Sequence, residues 1–415
     1  MVPHAATLLS TLQDPRPPWT AAGRADPIPW FTAALSGPRV VHDERADVWH
    51  VFRHGAVRDF LHETSVWSTA KRMERVPPEQ RIIRLLTVDP PAHTELRNQF
   101  GRAYRPRRIA AMEPLVRARV RALLDELVGT TFDVVADFAA PLTRAVIGDL
   151  IGIAGDDLEE CARRTIRNPL GTVQTDADGD AHIVLWMGAG EPENNRHFNE
   201  FFRDLIEERR RDPRDDLVSD LAQMAIPDET VTGQMNLGAL LDEQFGAGQN
   251  TTVHLMATLL RELSARPDDV VRLRADPALV TTAFEEGLRW HAPLQARPRI
   301  STATVRIGET EIPAGAVGLA WLQTANLDPH VFTEPNRFDI ARVPNPHLSF
   351  GFGDHFCLGA SLARLQMRVV CEEWLATVAD FGPVDEEPAQ WLPTFMMRGL
   401  VRFDVTTSRL PVSPT

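Results

Sequence analysis

Apolar side chains recur at helical spacing along most of the chain. The runs AAMEPLVRARVRALLDELV (110–128), RHFNEFFRDLIEERRRD (196–212) and NLGALLDEQFGAGQNTTVHLMATLLRELSA (236–265) each gather their apolar residues on one face of a 3.6-residue period, and each predicts an amphipathic helix. DPALVTTAFEEGLRW (276–290) predicts another, with Asp276 ahead of Pro277 as its start signal. Strand patterns are shorter and fewer: DVWHVF (47–52), TVRIG (304–308), TEIPAGAVGLAWL (310–322) and GLVRFDV (399–405). The polar, glycine-interrupted stretch 171–197 predicts a long surface connection without regular structure, in the manner of a lid. The class expected is mainly α with small β-sheets.

Composition narrows the picture. The chain has 415 residues, 43% hydrophobic and 24% charged, an ordinary globular balance. No Gly/Ser tract, Pro-rich hinge or internal repeat divides it, so one domain over 1–415 is expected. Three cysteines (Cys161, Cys357, Cys371) make no disulfide framework and point to a cytoplasmic protein. No stretch approaches the roughly 18 consecutive apolar residues of a membrane span, so no membrane partner is expected. With 44 basic and 57 acidic residues the net charge is −13, which argues against nucleic-acid binding.

The chemistry gathers in HLSFGFGDHFCLGASLARL (347–365), where Cys357 stands between a glycine-broken loop and an amphipathic helix carrying Leu362, Leu365 and Val369 on one face. Unpaired N–H groups and the helix dipole stabilise a thiolate there and lower its pKa. A lone cysteine can equally be a small buried hydrophobe. Cys371, mid-helix between Met367 and Leu375, reads that way, and Cys161 has no supporting context. Around Cys357, Gly353 and Gly359 let backbone approach something flat, and Phe350 supplies a packing plane.

This Phe-x-x-Gly-x-x-x-Cys-x-Gly run resembles that of the cytochrome P-450 family, and other landmarks of the family follow over nearly the whole chain. The resemblance implies the cytochrome P-450 fold, with haem b held between a long central helix and the loop whose Cys357 thiolate is the axial iron ligand. TVDPPAHTELR resembles the family's Asp-Pro-Pro-x-His-x-x-x-Arg segment, which makes His93 and Arg97 partners of the haem propionates. Arg299 in APLQARPRIST stands where the family keeps a propionate-binding arginine, and His355 matches a further donor. Glu286 and Arg289 supply Glu-x-x-Arg and, with Arg337, resemble the buried charge cluster that clamps the cysteine loop. Leu327 stands where an arginine is common.

The central run predicts a helix of about 30 residues and 45 Å. Gly246, Gly248, Thr251 and Thr252 are poor helix formers at its middle, and a local opening of its hydrogen-bond ladder is expected, making room for O2 and water. The segment Ala247-Gly248-Gln249-Asn250-Thr251 resembles the family's Ala-Gly-x-Asp/Glu-Thr, and Thr251 takes the place of the hydroxyl that guides protons to the oxygen-binding face. Asn250 replaces the usual acid. An amide orients water but does not exchange a proton at neutral pH, so either water alone relays protons through Thr251 or the oxidation is of a less usual kind, such as coupling or ring closure.

By family position the substrate pocket is expected between residues 65–70 and 81–86, in the 165–200 region, along the central helix, at Leu294 to Arg297 and at Phe395 to Met397. Most of these are apolar, Met396 and Met397 suit an irregular hydrophobic ligand, and Gln295 is the expected polar anchor. The chain carries no flavin or iron–sulfur motif, so electrons are expected from a ferredoxin, or a flavodoxin, with its NAD(P)H reductase. Arg97, Arg102, Arg105, Arg107 and Arg108 concentrate charge in an acidic chain and form the expected docking patch. The reading is a monomeric monooxygenase acting on a hydrophobic small molecule in secondary metabolism or catabolism. A peroxide-using or isomerase-type haem-thiolate enzyme, a haem sensor or carrier, and a protein with no haem stand beside it.

Overall fold

A computed structural model of the chain describes residues 18, 20–44, 46–75, 81, 84–165, 172–175, 181–184, 192–223, 237–384 and 389–411. Helices dominate it. The central helix, Leu237–Ser264, is 28 residues long, close to the predicted span, and other helices are laid around it. Ala140–Ile151, Pro192–Arg211 and Leu279–Trp290 pack against it. Glu113–Leu127 and Ala360–Thr377 pair beside them. The main core collects one stripe from each of several helices: Leu240, Phe245 and Met256 from the central helix, Val116 and Val120 from Glu113–Leu127, and Val369 and Trp374 from Ala360–Thr377. Burying about 25 cal/mol per Å2 of apolar surface is what joins these amphipathic faces. Among the described residues no helix is long and apolar enough to cross a membrane.

The predicted helix 110–128 is two, Pro106–Ala111 and Glu113–Leu127. Pro114 explains the break, because it has no N–H to continue a helix and is suited to begin one. The stretch 171–197 is not structureless. Thr172–Thr175 pairs antiparallel with Ala181–Val184, and a helix starts at Pro192. Its TVQT and AHIV runs are short alternating segments of the kind that pair across a turn; the other positions of that stretch lie outside the described residues. TEIPAGAVGLAWL likewise divides into Thr310–Ile312 and Val317–Trp321, on either side of Pro313.

A five-stranded sheet lies to one side, in the order Val40–Asp43, Val48–Val51, Val317–Trp321, Ala296–Ser301, Trp67–Ser68. Its pairs are antiparallel except Val48–Val51 with Val317–Trp321. Gly318 stands opposite Arg299, and a Cβ on it would lie 2.6 Å from the rings of both Phe60 and Trp67. Only glycine lets those aromatics close over the sheet at that point.

The buried charge cluster forms, with one change of member. Glu286 and Arg289 are fully buried, and the Arg289 guanidinium donates twice to the Glu286 carboxylate at 2.7 Å. Its remaining N–H groups reach the carbonyls of Asn326, Pro335 and Arg337. The second arginine on Glu286 is Arg342, at 3.0 Å, rather than Arg337. Arg337 sits in a surface turn whose N–H bonds the carbonyl of Glu334, and its side chain returns to the same residue's carboxylate. Leu327 is core, packed with Trp30 and Trp321.

Arg342→Ala strips a guanidinium from a desolvated carboxylate, and about 1–3 kcal/mol of stability should be lost. Arg337→Ala touches an exposed pair and should change it by less than about 0.5 kcal/mol. Urea unfolding of both variants checks this; equal losses would return Arg337 to the cluster.

Candidate active site

The cysteine loop is fastened from three sides. Asn326 accepts the N–H of Leu348 at 2.7 Å and donates to Ser349, whose hydroxyl reaches the carbonyl of Leu288. Glu285 takes His347 at 2.8 Å and Arg364 at 2.5 Å, tying the loop's start to the helix beyond it. Phe350 accepts the Cys357 N–H on its carbonyl at 2.8 Å, and the Arg364 guanidinium lies 4.6 Å from its ring centre. Gly353 has φ +71°, and a Cβ there would sit 3.0 Å from the Cα of His62. Its lack of a side chain serves the turn and the contact with the neighbouring helix rather than the cavity.

That loop forms part of the wall of a cavity of about 350 Å3. Cys357, Phe350, Gly359, His355, His93, Arg97 and Arg299 all line it, as do Ala247, Gly248, Asn250 and Thr251 of the central helix. Residues scattered over more than 260 positions of sequence are thus brought to one space. Of the predicted pocket positions, Leu294, Arg297, Met396 and Met397 line it as well. Gln295 does not: it is buried, and its side-chain amide donates to the carbonyl of Ala292 at 2.6 Å. Phe395 packs on Trp321 instead. Much of 76–83 and 165–200 lies outside the described residues.

The central helix runs unbroken from end to end, so the expected opening of its ladder is not seen. The Thr251 hydroxyl donates to the carbonyl of Ala247 at 2.7 Å, a one-turn back-bond that satisfies both groups locally. Gly248 has a packing reason: a Cβ on it would lie 2.7 Å from Ile147, where Ala140–Ile151 packs against the central helix. Two threonines and two glycines therefore fit inside a continuous helix on which neighbouring helices pack.

Electrostatics set the character of the cavity. His93 and His355 lie with ring centres 4.0 Å apart, and both ring nitrogens of His93 and Nε2 of His355 are buried with no hydrogen-bond partner among the described residues. Burial, then the neighbouring His93 and the charges of Arg299, Arg297 and Arg72, drives the His355 pKa down to about 2. Burial and Arg97 lower His93 in the same direction. A site that so resists a further positive charge attracts a negative one. The Cys357 thiol departs from expectation: burial pushes its pKa up, against the N–H of Gly359 and the charges of Arg297, Arg97 and Arg364. The helix proper begins at Ala360, so the sulfur stands short of most of its free N–H groups. A bound metal ion reverses that preference, because it binds the deprotonated form.

These residues fit haem b. A soft sulfur ligand faces the cavity, orphaned imidazole nitrogens and two arginines stand ready for carboxylates, and aromatic and glycine surface offers room for a flat ring. Sequence patterns did not expose the cavity's charge. Arg72, Arg84, Asp242 and Glu243 also line it, and the signal was the polar run DEQ placed directly before the helix's small residues. Arg84 pairs with Asp242 at 3.1 Å, and Glu243 accepts the N–H groups of Leu85 and Leu86 at 2.8 and 3.0 Å, pinning that turn to the central helix. Burial pushes the Glu243 carboxyl up. Cys371, buried in the core, is driven to about 12 and has no chemical role there.

The Cytochrome P450 family model matches residues 69–377. Cytochrome P450 109 of Bacillus spizizenii is 30% identical over 387 residues, 92% of each chain. Among solved structures, cytochrome P450 CYP109Q5 from Chondromyces apiculatus superposes with a TM-score of 0.82 at 28% identity, covering 94% of this chain and 98% of that one. CYP109E1 from Bacillus megaterium, in complex with testosterone, gives 0.83 at 26% identity over 93% and 99%.

Replacing His93 and His355 together by phenylalanine keeps the ring packing and removes the orphaned nitrogens. The doubly substituted protein should fold with an unchanged urea midpoint yet lose haem to apomyoglobin at least about ten-fold faster, which corresponds to one lost charge-assisted contact. Unaltered haem retention would mean that these nitrogens serve something else.

Proposed function

Because this chain belongs to the cytochrome P450 monooxygenases, we propose that it oxidises a hydrophobic small molecule at haem b held by Cys357, with O2 as oxidant and ferredoxin-delivered electrons. The observation that carries the reading is the pairing, in one cavity, of the Cys357 sulfur with the Ala247–Thr251 turn of the central helix. Haem, when bound, supplies oxygen activation, and a thiolate ligand favours O–O cleavage.

The chain's own residues do the rest. Cys357 Sγ would hold the iron, with the Gly359 N–H moderating its electron donation. Arg97, Arg299, His93 and His355 would hold the propionates. Leu294, Met396 and Met397 would place an apolar substrate and keep water out. Thr251 holds a hydroxyl proton at the cavity, on loan to the Ala247 carbonyl. Rotation of that hydroxyl makes it a donor toward the substrate. Asn250 beside it orients water without exchanging a proton, so proton delivery rests on Thr251 and the water it orders.

For the electron donor, the predicted patch changes membership. Arg108 is held by Asp220 and Asp215, and Arg97 lines the cavity. Arg102, Arg105 and Arg107 are exposed, and Phe352 and Phe356 of the cysteine loop are each 38% exposed. On a chain of net charge −13, three exposed guanidiniums steer an acidic redox protein to this face.

Two measurements test these readings. The reduced, CO-treated protein should show a strongly red-shifted Soret band that Cys357→Ala abolishes; a band that survives the substitution ends the haem-thiolate reading. Reversing Arg102, Arg105 and Arg107 to glutamate should slow ferredoxin-driven reduction about ten-fold or more at low salt, with the gap closing as salt rises. Reduction by dithionite should not change. An unaltered ferredoxin rate at low salt would move the docking face elsewhere.

A further inference from the structure

We infer that Arg297, a residue expected at the substrate pocket, binds haem instead, its guanidinium holding one propionate while Arg97 holds the other; the inference rests on the reading that this cavity holds haem. Five arginines line the cavity, and described residues engage three of them. Arg84 pairs with Asp242. Arg72 donates to the carbonyls of Thr69 and Leu86. Arg299 commits one terminal nitrogen to the carbonyls of Phe60 and Leu61, at 3.0 and 2.9 Å, where the helix His54–His62 ends. Arg97 and Arg297 meet no carbonyl or carboxylate of a described residue within hydrogen-bond reach. Haem b brings two carboxylates, one for each.

The surrounding charges agree. Burial disfavours the charge on Arg72, Arg97, Arg297 and Arg299 alike, and what offsets it differs. Asp89 acts on Arg72 and Arg299, and Asp354 on Arg97 and Arg299. Neither acts on Arg297, whose charge is favoured only by Cys357 and Glu243. Glu243 is already spent on the N–H groups of Leu85 and Leu86, and the Cys357 sulfur is the atom assigned to iron. A guanidinium drawn out of water needs a counter-charge. A propionate supplies it, meeting the planar fork of arginine with two parallel hydrogen bonds.

Position groups Arg297 with the other propionate partners. Arg297 and Arg299 are two apart on the strand Ala296–Ser301, so they leave it on one face, roughly 7 Å apart. Burial, then His93, then Arg299 and Arg297 hold the His355 imidazole down, so Arg297 lies within electrostatic reach of that ring. Burial holds the Cys357 thiol up, and against it the Gly359 N–H acts first, then Arg297, then Arg97. The two unpartnered guanidiniums are therefore the two charges felt most at the sulfur that would hold iron. Arg299 keeps its other nitrogens for a propionate, but its hold on Phe60 and Leu61 also fixes the strand that presents Arg297.

The test follows haem transfer to apomyoglobin from protein carrying haem b and from protein reconstituted with haem dimethyl ester, whose propionates bear no charge. Arg297→Gln should release haem b at least about ten-fold faster than the parent, and Arg297→Lys should recover part of the loss. With the dimethyl ester, parent and Arg297→Gln should release within about two-fold of each other, because the contact is already gone from both. Release of haem b from Arg297→Gln at the parent's rate overturns the inference. So does an acceleration that persists in full with the ester, since a purely structural role speeds the loss of both. The reduced-CO spectrum of the parent separates the two levels. Without the red-shifted band the haem reading fails and takes this inference with it, whereas a normal band with an indifferent Arg297→Gln sinks this inference alone.

Discussion

A carboxylate with no access to water holds the cysteine loop in place. Glu286 is fully buried and anchors two arginines, the main-chain N–H of Asp339 and the side chain of Asn345. Arg289, gripped by it, bonds the carbonyls of Asn326, Pro335 and Arg337. One anion therefore organises the irregular run that leads into Phe350–Cys357, a run with little regular structure of its own. A desolvated charge is tolerable only when nearly every lone pair is engaged. The interaction consequently demands one geometry, and it places the sulfur where loop entropy would otherwise scatter it.

The cavity shows the opposite tactic. There, polar groups are left unmatched: the rings of His93 and His355 have orphaned nitrogens, and guanidiniums line the same wall. In a finished core such features would be faults. In a binding site they are stored affinity, released when an anionic group arrives, and they mark the site as built around something the polypeptide does not itself contain. The thiol at its edge makes the same point, since burial favours its protonated form until a metal ion claims the sulfur.

The central helix ties the two regions together. Glu243 and Asp242, a turn before the small residues, reach out to the 84–87 turn, and Gly248 admits Ile147 from behind. Continuity here comes from neighbours and not from propensity. A composition that would fray as a peptide is kept regular by packing on several sides.

Much was legible in the linear chain. Helical periodicity marked the central helix almost to the residue, and short alternating runs marked some of the strands, though not Val40–Asp43, Ala296–Ser301 or Val378–Pro383; such signals depend on spacing along one segment. The motif around Cys357 and the segments bearing His93, Arg97 and Arg299 could be aligned with a known family, and the structure brings them to one cavity. What could not be read was any contact whose partners lie far apart: that Arg342 and not Arg337 meets Glu286, and that Arg108 is taken by Asp220. Each of these depends on which of several nearby polar groups arrives first at a given donor. Distance in space decides that, and distance is a property of the folded chain alone.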